Sequence, residues 1–330
     1  LVEMLTVIVI IGILGSLITG AAIVAQRRAR RATVRMEISQ LEMALTRYKQ
    51  DIGEFPPDFA NLRRPVAAVQ LQAQNAVLRH LRKRFPRYTP VGNQEDPSKT
   101  NSPWLRLRHD IMHGSNPKPD SNPGDDNGYP AADIDNFDAT AALVFWLGGL
   151  PEEASGSPAG FHADVQFPFK RGLPRTEPLF TFDPLRIRNI SNVPGYYANT
   201  DPDTRPYVYF RAQRLMNAAA RYEYGYISSS TFYPLSYPAY DPDNMAQDYA
   251  VPYLDEQALM TSGGTTIDFN APGTTRVWRN QETFQILFAG SDGLFGTTDG
   301  FGNINATFRF SKLGQELPRT VGTNKPKPLS

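Results

Sequence analysis

The chain has no cysteine and only four histidines among its 330 residues. The lack of cysteine excludes a disulfide scaffold, a cysteine nucleophile and a thiolate metal site. His109 and His113 have helical spacing but lack the glutamate of a zinc-protease motif, so we expect surface histidines. No Gly-x-Ser-x-Gly motif, phosphate-binding loop or dinucleotide-binding glycine motif occurs either. The sequence contains no catalytic set, and we expect that the chain is not an enzyme.

Charge is scarce in the first 24 residues. From Leu1 to Val24 only Glu3 is charged, and four arginines then follow at positions 27, 28, 30 and 31. A helix of this length measures about 36 Å, which is enough to cross a bilayer. A signal peptide would carry its basic residues before the apolar run. The sequence therefore predicts a membrane-spanning helix, with the arginines as an interfacial anchor in preference to a nucleic-acid site.

The carboxylate of Glu3 is costly inside such a segment, by at least ~2.5 to 3.5 kcal/mol. Two interpretations stay open: Glu3 lies at the level of the headgroups, or a cation from another chain pairs with it. A charge pair in a medium of low dielectric offsets much of the desolvation of both partners, and it forms only in the correct register.

An apolar stripe continues beyond the arginines. Its members recur at alternating spacings of four and three residues, which is typical of one face of a helix; they are Val34, Ile38, Leu41, Leu45, Tyr48 and Ile52. Gly53 and the pair Pro56-Pro57 then end the pattern. We therefore expect a stem helix over residues 1–52, in which residues 1–24 form the membrane or filament-core part.

The segment LVEMLTVIVIIGIL at positions 1–14 resembles the mature N-terminus of type IV pilins and type II secretion pseudopilins. Two features depart from the family: its first two mature residues do not stand before Leu1, and Gly20 replaces a proline that is common in relatives. The segment YKQDIGEFP at positions 48–56 is similar to the stem exit of a major pseudopilin. A third similarity is the glycine-rich turn at positions 291–296.

The resemblance implies a fold class: α+β, with a long N-terminal α-helical stem, half apolar and half amphipathic, and a C-terminal antiparallel-sheet globular head. The head would comprise residues 53–330, with large loop-rich insertions over 90–253 and a C-terminal β region over 276–310. Strands are expected at 205–210, 283–290 and 304–310 from their alternating or apolar pattern. A buried helix is expected at 139–150, capped by Asp138 and closed by Gly148-Gly149.

The resemblance also implies an assembly mechanism. Glu3 would meet the N-terminal ammonium of a neighbouring subunit, and Gly12, Gly15 and Gly20 would let the helix loosen on assembly, since each costs about 1 kcal/mol in a helix interior. The implied partners are further copies of the chain in a helical filament, the inner-membrane assembly machinery and prepilin peptidase, with methylation of the N-terminal amine. The implied location is the bacterial inner membrane before assembly, then an extracellular or periplasmic filament or fimbrium on the cell surface.

The glycine-rich turn resembles a calcium-binding loop of major pseudopilins. Asp292 and Asp299 match that loop in kind, while Asn303 and Asn305 stand where an acidic residue would bind more strongly. The alternative is a tight turn held by its own side-chain hydrogen bonds. The sequence leaves calcium binding and the tight turn as equal alternatives.

We expect a structural subunit of a type IV pilus-like or pseudopilus filament, assembled by packing of N-terminal helices. A low-copy pseudopilin at the tip of a type II secretion filament is one alternative. A surface adhesin is another, because the tyrosines at 237, 240 and 249 suit a stacking platform for a ligand. Residues 1–109 carry 17 basic against 8 acidic residues and the remainder 17 against 25, so opposite charges are available for contacts between subunits.

Overall fold

The computed structural model describes residues 2–64, 66–89, 102–113, 134–152, 156–190, 193–199, 204–215, 221–228, 231–237, 250–253, 278–289, 295, 320–321 and 325–326. These residues divide between two compact units, Leu1–Ala44 and Leu45–Ser330. The first unit consists of helix. The second contains the remaining helices and all of the strands described below.

Helix α1 extends from Val2 to Ile52. It ends at Gly53, whose φ of 89° is left-handed and whose N–H donates to the carbonyl of Lys49 at 2.7 Å. A residue with a Cβ adopts this conformation at a cost, so glycine is the usual residue just beyond a helix. The position of Gly53 in the sequence thus fixes where α1 stops.

The membrane prediction is wrong. Among the described residues, no helix has the combination of length and apolar character that a membrane span requires. Three predictions are therefore wrong. They are the half-apolar stem of the predicted fold class, the description of residues 1–24 as a transmembrane helix and pilin stem, and the inner-membrane location.

The predicted antiparallel-sheet head is also corrected. In the described ranges the strands form five separate antiparallel pairs. They are β1 (Ile187–Ile190) with β2 (Val193–Tyr196), β3 (Val208–Arg211) with β8 (Phe284–Leu287), β4 (Gln213–Leu215) with β5 (Arg221–Glu223), β6 (Gly225–Ser228) with β7 (Thr231–Pro234), and β9 (Thr320–Val321) with β10 (Lys325–Pro326). The strands of these pairs are two to four residues long.

The pair β3 and β8 joins two segments that the sequence predicts as strands. Its register places Val208 opposite Leu287 and Arg211 opposite Phe284. Val208, Tyr209 and Phe210 are all fully buried, because both faces of this strand are covered. The third expected strand, at 304–310, lies outside the described residues.

Helix α2 runs from Ala67 to Arg84, and α3 from Pro103 to His113. The buried face of α2 contains Val69, Ala73, Val77 and Leu81, which recur every four residues, as expected for one helical face. Leu71 lies off this face and is 57% exposed. The hydroxyl of Tyr88, just beyond α2, donates to Asp110 of α3 at 2.9 Å.

The expected helix at 139–150 is shorter than predicted. Helix α4 covers only Ala141–Leu143, and a π-helical turn at Val144–Gly148 follows it. Asp138 accepts hydrogen bonds from the N–H and the hydroxyl of Thr140 at 2.9 and 2.6 Å. The whole segment is buried, and Trp146 in the π turn is fully so. The wider turn therefore carries the largest side chain of the core.

Two glycines allow the backbone to fold back on itself after the π turn. Gly149 has a φ of 81° and Gly160 a φ of 84°, and the two form an isolated β-bridge. A Cβ on Gly149 would overlap the backbone of Gly160. Glycine at position 149 thus meets two requirements at once, a left-handed conformation and a close backbone approach.

We expect the substitution Gly149→Ala to lower the free energy of unfolding by about 3 kcal/mol or more, because backbone strain and steric overlap add. Urea denaturation followed by circular dichroism measures it. Gly172→Ala is the matched control: Gly172 has a φ of 86°, and no atom lies within 4 Å of the place that a Cβ would take. It should cost only about 1 kcal/mol. Equal losses in the two variants would contradict the close-approach argument.

Candidate functional site

A buried polar cluster joins the last turns of α1 to α2 and β3. We name it the Tyr48 cluster; its members are Tyr48 of α1, Glu54 just after α1, His80 and Lys83 of α2, and Arg211 at the end of β3. All five belong to the second compact unit. Tyr48 and His80 have no exposed surface at all. Polar groups buried this deeply are stable only when their hydrogen bonds are made.

A chain of two short hydrogen bonds runs through the imidazole of His80. Its Nδ1 lies 2.8 Å from Oε1 of Glu54, and its Nε2 lies 2.6 Å from the hydroxyl of Tyr48. An ionised carboxylate only accepts hydrogen bonds, so Nδ1 carries the proton and donates to Glu54. Nε2 is then the acceptor for the O–H of Tyr48. Burial raises the pKa of Tyr48, which keeps this hydroxyl protonated as a donor.

The carboxylate of Glu54 is the common acceptor of the cluster. Besides His80, it accepts from Lys83 Nζ at 2.9 Å and from Arg211 at 3.3 Å through its second oxygen. Burial by itself would raise the pKa of Glu54, but the hydrogen bonds from His80 and Lys83 and the charge of Arg211 hold that pKa well below its usual range. Glu54 is therefore ionised throughout the physiological pH range.

His80 is neutral in the folded chain. Burial lowers its pKa to about 4, against the hydrogen bond to Glu54, which raises it. The charges of Arg211 and Arg84 lower it further. Protonation of His80 would also turn its Nε2 into a donor that faces the O–H donor of Tyr48. The cluster is built around an uncharged imidazole.

The backbone that leaves α1 is held from three sides. Tyr209 of β3 donates its hydroxyl to the carbonyl of Pro56 at 2.8 Å, and Trp146 donates its indole N–H to the carbonyl of Pro57 at 2.9 Å. Asp58 accepts the N–H of Arg211 at 2.9 Å. Burial raises the pKa of Asp58 to about 6, although its bonds with Arg211 and Ala60 lower it. The exit from α1 is thus fixed to the strand and to the π turn.

Aromatic rings enclose the polar cluster. The ring of His80 stacks on Tyr48 at 5.6 Å between centroids and meets Trp146 edge-on at 4.9 Å. The guanidinium of Arg84 lies over the ring of Tyr48 at 4.7 Å and over Phe161 at 4.9 Å. Cation–π contacts contribute from about 0.5 to about 2 kcal/mol, with the larger value for a desolvated cation. The rings exclude water from the hydrogen-bond chain.

The order Tyr–His–Glu has the connectivity of a proton relay, but its burial argues for a mechanical role. A nucleophile or general base needs hydrogen-bond reach to a substrate atom. The hydroxyl of Tyr48 and both nitrogens of His80 are occupied inside the protein, and neither residue is exposed. The arrangement can hold the end of α1 rigidly against α2 and β3, and its neutral histidine makes the fold sensitive to acid.

The structure shows where the four residues predicted to act in assembly lie on α1. Glu3 lies exposed in the first turn of α1, and Gly12 and Gly20 are exposed with no atom within 4 Å of a Cβ position. Gly15 lies within α1. Since α1 is helical at all three glycines, they lie in regular helix in this state.

The predicted calcium ligands Asp292, Asp299, Asn303 and Asn305 lie outside the described residues. Among the residues that are described, no group of three or more acidic or histidine side chains is arranged to bind a metal ion. Of the proposed adhesin tyrosines, only Tyr237 is described. It is partly buried, with its ring 6.1 Å from that of Phe295, so it packs within the fold.

Sequence reasoning missed His80 and Arg211. The expectation that histidines lie on the surface is wrong for His80, and also for His162, which is 5% exposed. A signal for His80 is present in the sequence: it lies three residues after Val77, on the buried stripe of α2. Its partners are 26 and 32 positions away, and the pattern of α2 alone does not identify them.

Comparisons with known proteins found no relative of the chain. No family model matches the chain, and no curated protein or solved structure matches it. The resemblance of residues 1–14 and 48–56 to pilins and pseudopilins therefore stays a prediction from those segments.

The neutral state of His80 predicts an acid-sensitive fold. As the pH falls below about 6.5, the unfolded chain binds a proton at this position, whereas the folded chain does so only near pH 4. The titration of His80 by itself therefore removes about 3 kcal/mol of stability between these two values as the pH falls. The difference between the wild type and a variant without His80, each denatured chemically at pH 7 and at pH 4, measures this contribution.

His80→Gln serves as the control, because glutamine has a donor and an acceptor but does not titrate in this range. The variant should be less stable at pH 7 and should lose less stability than the wild type on going to pH 4. Asp58 titrates in the opposite sense, since its raised pKa favours the folded chain as the pH falls, and it does so in both proteins. The same pH slope in wild type and variant would refute the assignment of a neutral His80.

Proposed function

We propose that the chain is a structural subunit of a helical filament of the type IV pilus or pseudopilus kind, and that its copies assemble by side-by-side packing of helix α1. The observation that carries this proposal is the exposure of aliphatic side chains along the first turns of α1. Each is about half exposed or more; they are Val7, Val9, Ile10, Ile11 and Ile13.

These side chains point to more than one side of the helix. At 100° per residue, Val7 and Ile11 lie near one another, while Val9 and Ile13 lie on the opposite side. A helix that is apolar on one face packs on one neighbour, whereas a helix that is apolar on several sides is buried among several. The first turns of α1 therefore suit the interior of a bundle of helices from different copies.

The burial of these side chains supplies the driving force for assembly. Burying one aliphatic side chain of this size contributes about 1.5 to 3 kcal/mol relative to leaving it exposed. Several such residues on each copy would offset the cost of immobilising it. A contact repeated from copy to copy by a fixed rotation and translation gives an open helical polymer.

Glu3 gives the packing its register in this proposal. Its carboxylate is exposed on the first turn of α1. Among apolar helices it would need a cation, and the resemblance to pilins supports the N-terminal ammonium of a neighbouring copy as that cation. The competing role is local: an acidic residue in the first turn stabilises its own helix by about 0.3 to 1 kcal/mol.

The Tyr48 cluster supports the same function. A filament subunit must hold its globular part firmly on the helix that carries it, because load applied to one reaches the other through that junction. Tyr48, Glu54 and Asp58 attach the end of α1 and the chain beyond it to α2 and β3. This is a structural role, and it requires no catalysis.

The exposed aliphatic side chains of α1 give a test of the proposed packing. We expect Ile11→Gln to raise the concentration needed for assembly by at least about tenfold, because burying the amide among apolar helices is unfavourable. Sedimentation and negative-stain electron microscopy measure assembly. Leu173→Gln is the control: Leu173 is 85% exposed in the second unit, and this change should leave assembly unaltered. Loss of assembly in both variants would indicate a general effect of surface hydrophobicity.

Glu3 gives a separate test of the proposed register. We expect Glu3→Ala to abolish or severely reduce filaments while leaving the stability of the second unit unchanged, since the register pair is lost and Glu3 belongs to the first unit. Electron microscopy scores the filaments, and near-ultraviolet circular dichroism checks the fold. Normal filaments from this variant would refute the register role. A wild-type chain that forms no filament under any assembly condition would overturn the proposed function itself.

A further inference from the structure

Two methionines of α1 are exposed. Met36 and Met43 are 63% and 65% exposed, and both belong to the first compact unit. They are seven residues apart on one continuous helix, which is almost two full turns, so both lie on the same side of α1 and about 10.5 Å apart along its axis. Leu41 and Ala44 of the same helix are buried. The two methionines therefore face away from the buried side of α1.

The residues around the two methionines leave their sulfur atoms accessible. A helical side chain points towards the N-terminus and lies over the preceding turn, so Met36 lies over Ala32, whose side chain is a single methyl group. The ridge that runs through both methionines at spacings of three and four residues carries no charge. Its members are all exposed; they are Ala25, Ala29, Ala32, Met36, Gln40 and Met43.

We propose that Met36 and Met43 are sites of reversible oxidation, and that their conversion to methionine sulfoxide prevents copies of the chain from assembling through α1. This inference rests on the proposed filament function and adds to it the regulation of the packing surface. The oxidant is a peroxide from the surrounding solution. Exposure decides which methionines it reaches first, because the reaction needs direct access to the sulfur.

The reaction transfers one oxygen atom to each thioether. A lone pair of the sulfur attacks one oxygen of hydrogen peroxide, and the O–O bond breaks as the S–O bond forms. The proton of the transferred oxygen passes to the departing hydroxide, which leaves as water. The sulfur loses two electrons and the peroxide gains them. Methionine sulfoxide reductase reverses the change, with oxidation of two thiols to a disulfide and release of water.

The oxidised side chain is unsuited to the proposed packing. A thioether is flexible and apolar, so it fits an irregular apolar contact between helices. The sulfoxide is polar, and its oxygen loses its hydrogen bonds to water on burial unless a donor replaces them. Apart from Gln40, the members of the ridge have no side-chain donor. In a filament the loss repeats at every contact between copies.

Met112 provides an internal reference. It lies near the end of α3 in the second compact unit, and it is less exposed than Met36 and Met43. Its carbonyl accepts a hydrogen bond from Arg171 at 2.7 Å. Oxidation of Met112 should therefore be slower than that of the two methionines of α1.

Peptide mass spectrometry after limited treatment with hydrogen peroxide tests the site. In the unassembled chain, Met36 and Met43 should each gain one oxygen several-fold faster than Met112. Equal or slower oxidation of the two would overturn the assignment, whether or not the chain forms filaments.

Sedimentation of the oxidised chain tests the effect on assembly. Oxidation should raise the concentration that the wild type requires for assembly by about tenfold or more, and methionine sulfoxide reductase should restore the original value. The double variant Met36→Leu/Met43→Leu should assemble as the wild type does and should keep its assembly after peroxide, because leucine is of similar size and has no sulfur. Met112→Leu is the matched control, and it should remain as sensitive to peroxide as the wild type.

The possible failures are distinguishable. A wild-type chain that forms no filaments before oxidation would overturn the filament function, and the regulation with it. Normal assembly of a chain that carries both sulfoxides would overturn the regulation alone. Loss of assembly in the oxidised double variant would do the same, because the effect would then belong to another methionine, and the filament function would stand.

Discussion

The hydrogen-bond chain from Tyr48 through His80 to Glu54 is the interaction on which the connection between α1 and the rest of its unit depends. It works only with a neutral imidazole, because one nitrogen must donate to the carboxylate while the other accepts from the phenol. Burial enforces that state by lowering the pKa of His80 to about 4. The surrounding rings and the three attachments of residues 56–58 then keep water away from the chain and hold its members in place.

Charge balance around Glu54 explains why the cluster tolerates so many cations. Lys83 and Arg211 both contact the carboxylate, and Lys83 is 55% exposed while Arg211 is 21% exposed. Partly exposed cations keep much of their hydration, so the desolvation cost falls mainly on Glu54. A single carboxylate thus organises groups from three elements without requiring a fully buried ion pair.

Local chemistry in the sequence is sufficient to predict several elements. Gly53 and the following prolines predict the end of α1, and apolar runs predict the segments that become β3 and β8. The pairing of those two strands could not be predicted, since some 70 residues separate them and periodicity carries no information about partners. His80 and Arg211 escape prediction for the same reason. An apolar run does not distinguish a π turn from ordinary helix. The membrane span predicted over residues 1–24 rests on their length and composition, and no helix among the described residues meets the requirements of a span.

Trp146 gives the cluster an optical consequence. Its indole meets the imidazole of His80 edge-on at 4.9 Å and lies within a shell of aromatic rings. A protonated imidazole quenches indole emission by accepting an electron, whereas a neutral one does so poorly. The fluorescence of Trp146, which adds to that of Trp104 and Trp278, therefore depends on the protonation state of His80.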